Sequence, residues 1–392
     1  MVKKLSSMGV TRKILFITGT RADFGKLKSL INKLEGRVEF QVIICVTGMH
    51  LIPEFGLTVE EVRRATSAEI IERKNQVLGD DFGKVLLSSV SIFREVFMSY
   101  EPDLIVVHGD RVESFAATSV GVFNNHLVSH IEGGELSGTN DEVVRHAISK
   151  LAHYHFVSNQ KAKSRLVQMG ENPEHIRIFG SPDIDLMKSA NLPSLAECAS
   201  HYDLNDLSHQ QYIVALLHPV TTELDKIEIQ VRIWIKFLVF LSKRYAVILI
   251  WPNNDPGSSS ILEGYNELES IAGISIFPNL RFEYFLSLLK NTKMLVGNSS
   301  AGIRECPVYG VPTINIGSRQ AGRDRHKTVY DCSWNYDELA DTFEKLEGGP
   351  VAPYEHCRLY GEGNSDVMFL ETLLDEAFWS VPRQKVFVDV DG

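Results

Sequence analysis

The sequence predicts an α/β protein with two doubly wound parallel-sheet domains that face a cleft. From residue 13 a short apolar run, a turn and an amphipathic stretch follow each other repeatedly. The apolar runs are rich in Ile and Val and barely alternate with polar residues, as expected for strands that helices cover on both faces. The rhythm stops near residue 189 and restarts near residue 212, and 392 residues are enough for two or three domains.

The first domain is predicted to span residues 1–188. Its expected strands cover 14–18, 40–46, 104–108, 127–131, 153–158 and 176–180. Helices over 24–34, 82–100, 112–124 and 141–151 are expected between them. Parallel strands need such crossover helices.

The second domain is predicted to span residues 189–365, and it opens with a polar linker over 189–211 that has room for one helix. Strands are expected over 212–217, 246–251, 274–277, 294–296 and 313–316, and helices over 223–243, 258–271, 282–290 and 300–309. A last helix, over about 366–380, could pack back across the first domain. In open α/β sheets the functional loops leave the carboxyl ends of the strands, so we expect a site in the cleft.

Charge and composition exclude several classes of function. The chain has 40 Lys and Arg against 50 Asp and Glu, a net charge of −10, which argues against binding to nucleic acid or to an anionic membrane. No apolar run approaches the roughly 20 residues of a membrane span, and the first residues lack the apolar core of a signal peptide. We therefore expect a cytoplasmic protein. The five cysteines form no C-x-x-C pair and are interpreted as reduced and structural.

A glycine turn follows the first predicted strand, in the motif Gly19-Thr20-Arg21-Ala22-Asp23-Phe24-Gly25-Lys26. The N–H groups at a helix start, together with the two cationic side chains, suit a phosphorylated ligand. An ordinary capped turn is the alternative. The spacing matches neither the dinucleotide fingerprint nor the P-loop, so it supports no NAD or P-loop ATP site.

Carboxylates follow two further strands of the first domain. Asp110 comes after the strand at 104–108, Glu132 and Glu135 after the strand at 127–131, and Asp141 lies at a helix start. Carboxylates gathered in one cleft can have their pKa values driven apart, so that one serves as acid and another as base. Individually, Asp110 and Asp141 could be helix caps and Glu135 a surface charge. Together at strand ends they favour catalysis.

His218 begins a loop directly after the first strand of the second domain. A single histidine is more often a structural group, but its place on the cleft side favours a functional role. Metal binding is not indicated, because His126 and His130 are four apart on a strand and no H-E-x-x-H motif occurs.

The sharpest local pattern is Gly297-Asn298-Ser299-Ser300 at the end of a strand, with Glu305 following. Backbone donors, two hydroxyls and a helix start suit a pyrophosphate, and the Glu305 carboxylate can accept both hydroxyls of a ribose. This combination favours a nucleoside diphosphate, with simple helix capping by Ser299 as the alternative.

These residues resemble a known family, the hydrolysing UDP-N-acetylglucosamine 2-epimerases of the bacterial sialic-acid pathway. Besides the motifs above, the resemblance is carried by Thr47-Gly48-Met49-His50-Leu51, His108-Gly109-Asp110-Arg111, His130-Ile131-Glu132-Gly133-Gly134-Glu135-Leu136-Ser137-Gly138-Thr139, Arg145-His146-Ala147-Ile148-Ser149-Lys150-Leu151-Ala152-His153 and Gly180-Ser181-Pro182-Asp183. The motifs occur in one order from about residue 13 to residue 375. The resemblance implies two Rossmann-like domains in a GT-B-like arrangement, with UDP held mainly by the second.

The resemblance also implies roles for individual residues. The implied catalytic residues are Asp110, Glu132, Asp141 and His218. The implied UDP-sugar contacts are Arg21, Asp23, Lys26, His50, Arg111, Asn254, Phe282, Ser299, Ser300, Glu305 and Arg319. Two of these positions are ambiguous, because Asn253 adjoins Asn254, and Tyr284 and Phe285 lie close to Phe282. Ala22-Asp23 stands where the nonhydrolysing branch usually has Pro-Glu, which favours hydrolysis. No metal or other cofactor is implied.

The expected reaction converts UDP-N-acetylglucosamine and water into UDP and N-acetylmannosamine through a 2-acetamidoglucal intermediate. The nearest alternative is a hydrolysing 2-epimerase of UDP-2,4-diacetamido-2,4,6-trideoxyglucose, in the legionaminic-acid pathway. A GT-B glycosyltransferase and a non-catalytic nucleotide-sugar sensor are remoter alternatives. A homodimer or homotetramer is expected.

Overall fold

Two parallel β-sheets organise the chain. The structure is a computed structural model that describes residues 11–137, 140–189, 191–204, 207, 211–348 and 357–389. The strands in these ranges are β1 (Arg12–Thr18), β2 (Phe40–Val46), β3 (Glu69–Glu72), β4 (Leu104–His108), β5 (Leu127–Ile131), β6 (Tyr154–Val157), β7 (Ile176–Ile178), β8 (Tyr212–Leu216), β9 (Ala246–Ile250), β10 (Ile274–Phe277), β11 (Leu295–Gly297), β12 (Thr313–Ile316) and β13 (Val329–Cys332).

Helices connect the strands and cover the sheets. They are α1 (Arg21–Leu34), α2 (Val59–Ala65), α3 (Phe82–Tyr100), α4 (Val112–Phe123), α5 (Asn140–Leu151), α6 (Gln160–Gln168), α7 (Pro182–Met187), α8 (Leu195–His201), α9 (Ile227–Ser242), α10 (Ser258–Tyr265), α11 (Phe282–Asn291), α12 (Glu305–Tyr309), α13 (Tyr336–Glu347), α14 (Ser365–Leu374) and α15 (Glu376–Trp379). Short 3₁₀ turns cover Gly48–Leu51, Pro53–Phe55, Pro173–His175, Leu224–Lys226, Asn266–Leu268 and Ser300–Gly302.

The strand order of both sheets creates a crevice at the strands' carboxyl ends. The first sheet has the order β3-β2-β1-β4-β5-β6-β7 and the second β10-β9-β8-β11-β12-β13. All described strand pairs are parallel. The order reverses between β1 and β4 and between β8 and β11, which is where ligands bind in doubly wound sheets. The predicted pair of Rossmann-like domains is confirmed.

Burial on both faces explains why the strands show no alternation of polar and apolar residues. In β1, Ile14 and Phe16 pack into one core cluster, whereas Leu15 and Ile17 pack into a second cluster across the sheet. The second sheet repeats this arrangement.

The C-terminal segment returns to the first sheet. The ring of Phe369 in α14 lies 6.2 Å from that of Phe16 and 4.9 Å from that of Phe156. Residues 381–389, which we call the C-terminal strap, continue along the same domain, where the backbone N–H of Val388 donates to the carbonyl of Gly170. The exact domain boundaries at residues 188 and 365 stay predictions.

Several predicted elements differ from the structure. The helix expected over 300–309 is wrong as a single element, because a 3₁₀ turn and the five-residue α12 occupy it. Pro307 lacks an N–H and is tolerated only in a first turn, which fits a helix that begins at Glu305. The last predicted helix is likewise split into α14 and α15, since Asp375 is extended and its side chain caps α15. The short edge strands β3 and β13 were not predicted.

Candidate active site

Two adjoining pockets lie between the sheets. The apolar pocket is lined by both domains, with Met49, Phe55, Ile250, Trp251, Phe282 and Phe285 among its walls. The charged pocket is lined by Asp110, Arg111, Glu132, Asp141, Arg304 and Arg319, among others. The two pockets share residues from both domains, namely Thr20, Ala22, Lys26, Asn253, Ser300 and Arg319. One elongated ligand can therefore occupy both.

Glu132 lies at the centre of a network of donors. It follows β5 with φ at 62°, a left-handed conformation that non-glycine residues seldom adopt. One carboxylate oxygen accepts hydrogen bonds from Ser181 and Arg304. The other accepts from Nε2 of His108 at 3.0 Å and lies 3.4 Å from Nζ of Lys26. Burial alone would raise the pKa of Glu132, but Arg304 and Lys26 outweigh it and hold the pKa well below its usual value.

Asp110 and Asp141 line the same charged pocket with fewer restraints. Asp110 lies in the loop after β4, where its carboxylate accepts from Nη2 of Arg145. Asp141 is half-buried in the first turn of α5. The structure thus brings the three predicted catalytic carboxylates into one pocket, with Glu132 the most firmly held.

Two arginines face these carboxylates. Nη1 of Arg111 lies 3.5 Å from Asp255, and Nη1 of Arg319 donates to the carbonyl of Asn298 at 3.3 Å. Burial would lower the pKa of Arg111, but the charges of Glu113 and Asp255 outweigh it and raise the pKa above its usual value. Both arginines stay charged and can meet an anionic group at the junction of the pockets.

His218 follows β8 at the wall of the apolar pocket. Its backbone N–H donates to Oδ1 of Asn298 at 2.7 Å, and its Nδ1 accepts from the backbone N–H of Asn253 at 3.1 Å. Burial, with the positive charges of Arg319 and Arg111, holds the pKa of His218 well below its usual value. The ring is neutral with its hydrogen on Nε2.

The Gly-Asn-Ser-Ser turn leaves the second sheet beside His218. Gly297 has φ at 126°, and a Cβ there would lie 1.7 Å from the carbonyl oxygen of Leu216, so only glycine fits. Ser299 caps the 3₁₀ turn by accepting from the N–H of Ala301, and Ser300 lines both pockets. Because a 3₁₀ turn stands where the helix was predicted to begin, this turn offers hydroxyls and individual N–H groups rather than a long helix dipole.

Glu305, Asp183 and Lys26 form a buried cluster that joins the two domains. Nζ of Lys26 lies 3.2 Å from Asp183 and 3.9 Å from Glu305. Burial and the neighbouring charge of Asp183 raise the pKa of Glu305 to about 7. Oε2 of Glu305 and both carboxylate oxygens of Asp183 are buried without a hydrogen-bond partner, so Glu305 can donate to Asp183 when protonated and can accept from a ligand when ionised.

The first two turns of α1 contain three of the predicted contacts, Arg21, Asp23 and Lys26, and each of them lines at least one of the two pockets. Arg21 lines the apolar pocket, and its guanidinium contacts Glu61 and Asn279. Asp23 caps its own turn, since its oxygens accept from the N–H groups of Gly19 and Thr20 at 3.0 Å each.

His50 lies behind this turn and lines neither pocket. It is fully buried, and its ring nitrogens lie 3.0 Å from the hydroxyl of Thr18 and 2.7 Å from that of Thr58. Burial lowers the pKa of His50 to about 4. The structure thus places His50 outside both pockets, so the geometry gives no support to the expected contact with the ligand, which stays a prediction.

The structure narrows the two ambiguous positions by showing which side chains line the pockets, and the contacts with UDP stay predictions. Asn253, not the expected Asn254, lines both pockets. Phe282 lines the apolar pocket as predicted, together with Phe285, whereas Tyr284 stacks on His201 with ring centroids 4.7 Å apart.

Several residues of the site were not singled out from the sequence. They are His108, Arg145, Asp183 and Arg304, and each contacts a predicted carboxylate or its neighbours. One sequence signal could have identified them: each is an ionisable residue inside a motif near one end of a predicted strand. Their partners, however, lie up to 172 residues away along the chain.

The structure shows two further features relevant to function. Among the described residues, no three His, Cys, Asp or Glu side chains come together as a metal site would require. Within the same residues no helix combines the length and apolar character that a membrane crossing needs.

Comparison with known proteins gives consistent matches over most of the chain. A family model described as UDP-N-acetylglucosamine 2-epimerase matches residues 32–374. The chain is 41% identical over 383 residues to the UDP-N-acetylglucosamine 2-epimerase of Neisseria meningitidis serogroup B, covering 97% of this chain and 100% of the relative. It is 34% identical over 361 residues to the UDP-N,N'-diacetylbacillosamine 2-epimerase (hydrolyzing) of Legionella pneumophila, covering 90% and 93%.

A solved structure matches the fold. It is a UDP-GlcNAc 2-epimerase from Neisseria meningitidis bound to UDP-GlcNAc, with a TM-score of 0.75 at 20% identity, covering 92% of this chain and 99% of that one. At 20% identity this match is evidence for the fold alone, that is, for the arrangement of the two sheets.

Proposed function

Because the chain belongs to the UDP-N-acetylglucosamine 2-epimerase family, we propose that it is a hydrolysing 2-epimerase that converts UDP-N-acetylglucosamine and water into UDP and N-acetylmannosamine. The observation that carries the proposal is the junction of the two pockets at Ser300 and Arg319. A nucleotide can lie in the apolar pocket while the sugar reaches the carboxylates of the charged pocket.

In this proposal the second domain holds most of the nucleotide. Phe282 supplies an aromatic face for the uracil, and the unpartnered Oε2 of Glu305 accepts from the ribose hydroxyls. Ser299 and Ser300 donate to the pyrophosphate. Each such hydrogen bond adds about 0.5–1.5 kcal/mol, and about 1.5–3 kcal/mol where a charge is involved.

The first chemical step eliminates UDP from the sugar. The bond between C1 and the β-phosphate oxygen breaks, and its electron pair leaves with UDP. Arg111 and Arg319 face the developing negative charge, and the neutral His218 can donate from Nε2 to the departing oxygen. A carboxylate removes the proton from C2 at the same time, because that proton is not acidic beside an amide nitrogen. The product is a 2-acetamidoglucal with a double bond between C1 and C2.

The second step hydrates the glucal with inversion at C2. A hydroxide equivalent from water adds at C1, and a proton returns to C2 on the opposite face. One proton leaves from one face of C2 and another is added to the opposite face, which requires at least two proton-carrying groups. Asp110, Glu132 and Asp141 together supply them.

Two observations favour hydrolysis over simple epimerisation. The relative at 34% identity has a name that specifies a hydrolyzing 2-epimerase. The motif after β1 has Ala22-Asp23, which resembles the hydrolysing branch. The proposed place of the reaction is sialic-acid biosynthesis, as the sequence resemblance implies, and a cytoplasmic homodimer or homotetramer stays the prediction.

A second candidate substrate is UDP-2,4-diacetamido-2,4,6-trideoxyglucose. The specific observation in its favour is the same relative, whose name gives UDP-N,N'-diacetylbacillosamine, a diacetamido sugar nucleotide, as its substrate. The higher identity, 41%, to a relative named for UDP-N-acetylglucosamine favours the first candidate. The family model and the relatives described above are all named as 2-epimerases, so they give no support to the glycosyltransferase and sensor alternatives.

Proton NMR in heavy water tests the proposal. The purified chain, without added metal or NAD, receives either sugar nucleotide in separate samples. Release of N-acetylmannosamine with deuterium at C2 supports the proposal. Inertness toward UDP-N-acetylglucosamine with turnover of the diacetamido analogue transfers the assignment to the second candidate, and accumulation of a UDP-linked epimer without release overturns hydrolysis.

A further inference from the structure

Arg304 joins the nucleotide-binding turn to the carboxylates of the other domain. It lies between the 3₁₀ turn at Ser300–Gly302 and α12, and its backbone N–H donates to the carbonyl of Ser300 at 3.0 Å. Its side chain crosses the cleft into the first domain, where Nη1 contacts Glu135 and Nη2 contacts Glu132. The residue is only 2% exposed.

The surroundings of Arg304 hold its guanidinium in one place. Nη2 also donates to the hydroxyl of Ser181 at 2.5 Å, and the guanidinium carbon lies 4.6 Å from the ring centroid of Tyr360. Burial would lower the pKa of Arg304, but the charges of Glu132 and Glu135 outweigh it and raise the pKa well above its usual value. The side chain is thus a fixed positive charge.

Arg304 and the other donors to Glu132 come from different domains. His108, Lys26 and Ser181 belong to the first domain, as Glu132 does. Among the described contacts of the Glu132 carboxylate, the one from Arg304 comes from the second domain. A ligand that contacts Ser300 therefore contacts the segment 300–304, and the Arg304 side chain of that segment binds Glu132.

We propose that Arg304 is a positioning residue that links the Gly-Asn-Ser-Ser turn to Glu132 and keeps the Glu132 carboxylate charged and in one orientation for proton transfer. The proposal rests on the proposed function. A second path runs from Arg304 through Glu135, whose backbone carbonyl accepts from Arg145, the partner of Asp110. Arg304 thereby supports two of the three carboxylates.

The main test compares R304M with R304K and with K28M. Lys28 also forms an ion pair across the domains, with Glu283, and contacts none of the three carboxylates. K28M therefore controls for the loss of an interdomain charge pair alone. For R304M we expect kcat to fall about 10²-fold or more, whereas the Kd for UDP changes less than about threefold. R304K keeps the charge and should recover part of the activity.

The pH profile separates positioning from general structural support. Loss of a neighbouring guanidinium moves the pKa of a carboxylate up by about 1–3 units. The acidic limb of kcat should therefore move to higher pH in R304M and return toward the wild-type position in R304K. An unmoved limb in R304M, or a loss of kcat no larger than in K28M, overturns the proposal.

A measurement without substrate keeps this test independent of the proposed function. The chain is labelled with ¹³C at the glutamate side-chain carboxyls, and the Glu132 signal is assigned by its disappearance in E132Q. Its titration midpoint should rise in R304M, or in R304Q if R304M does not fold, and should lie closer to the wild-type value in R304K. An equal midpoint in all variants overturns the positioning role even if the enzyme acts on another sugar nucleotide. Failure of turnover with a shifted midpoint overturns only the proposed reaction.

Discussion

The backbone nitrogen of Asn253 lies 3.1 Å from Nδ1 of His218 and donates its hydrogen to that ring atom. Since burial and two neighbouring arginines hold the pKa of His218 well below its usual value, the ring is neutral and its remaining hydrogen is on Nε2. His218 can therefore act near the leaving group as a hydrogen-bond donor at neutral pH.

The first prediction follows from this tautomer. H218A should lose about 10²–10³-fold in kcat, the usual effect of removing one transition-state donor, while H218Q, which keeps a donor, should lose less. Steady-state rates from pH 5.5 to 8.5 provide the measurement. The plot of kcat against pH should have the same titration limbs in the wild type and in H218Q. A limb near pH 6.5 that disappears in H218Q would instead identify a charged histidine as the acid.

The second prediction concerns the carboxylates. D110N and E132Q each remove a proton-transferring group at nearly constant shape, so kcat should fall about 10²–10⁴-fold. UDP affinity, measured by calorimetry, should stay within about threefold of wild type. E142Q is the control, because Glu142 is a carboxylate on α5 that lines neither pocket. A near wild-type rate in D110N or E132Q with an unchanged melting temperature would withdraw that residue from the chemistry.

The third prediction uses a contact between the domains. A Cβ at Gly25 in α1 would lie 2.6 Å from the ring of Phe282, which lines the apolar pocket. G25A should therefore displace the ring and weaken UDP binding, and it should lower the free energy of unfolding by about 1–3 kcal/mol, a typical cost of overpacking. G348A is the control, since a Cβ there meets its nearest atom at an ordinary 3.6 Å.

The double variant G25A/F282L decides whether the ring is the cause. The smaller leucine relieves the clash but removes the aromatic face, so the double variant should bind UDP no more weakly than F282L alone. Additive losses in G25A and F282L would show that Gly25 acts through something other than Phe282.

The fourth prediction concerns Lys385 in the C-terminal strap. Its Nζ donates to the carbonyls of Ser149, Lys150 and Ala152 at the end of α5, and it pairs with the buried Glu171. K385M should lower the free energy of unfolding by about 1–3 kcal/mol, because these buried acceptors lose a charged donor. Thermal melts provide the measurement. R232Q, at an exposed pair, should change stability by less than about 0.5 kcal/mol, and an equal shift in both variants would contradict the prediction.

The central strands are predictable from the sequence because their burial on both faces leaves a continuous apolar run. β2 and β4 have the predicted bounds 40–46 and 104–108. The edge strands are not predictable in this way. β3 reads Glu-Ile-Ile-Glu and has one buried residue, so its pattern does not differ from that of a loop. Its strand conformation depends on pairing with β2.

The site is predictable in its parts but not in its connections. Glu132 and Ser300 follow strands that the sequence identifies, so their place at the cleft can be inferred. The contact between Glu132 and Arg304 joins positions 172 residues apart, and no local pattern encodes it. The same limit explains His50, whose burial depends on Thr18 and Thr58.

The last prediction concerns the pH dependence of UDP binding. Burial and Asp183 raise the pKa of Glu305 to about 7, so its side chain is largely protonated below that pH and ionised above it. In the proposed function the ribose hydroxyls donate to the carboxylate, which favours the ionised form. Below pH 7 binding must then release a proton, and UDP affinity should fall up to about tenfold for each pH unit.

Calorimetric titration of UDP from pH 5.5 to 8.5, in two buffers with different heats of ionisation, measures both the affinity and the protons released. UDP itself titrates in this range, so the comparison is between wild type and E305Q, whose slope should be flatter and whose proton release should be smaller. At pH 8, E305Q should weaken binding by about 1.5–3 kcal/mol and S300A by about 0.5–1.5 kcal/mol, because the charged acceptor contributes more. S299A removes both the cap on the 3₁₀ turn and a proposed donor to the pyrophosphate, so it should lower the melting temperature as well as the affinity for UDP. Equal slopes in wild type and E305Q would remove Glu305 from the nucleotide site.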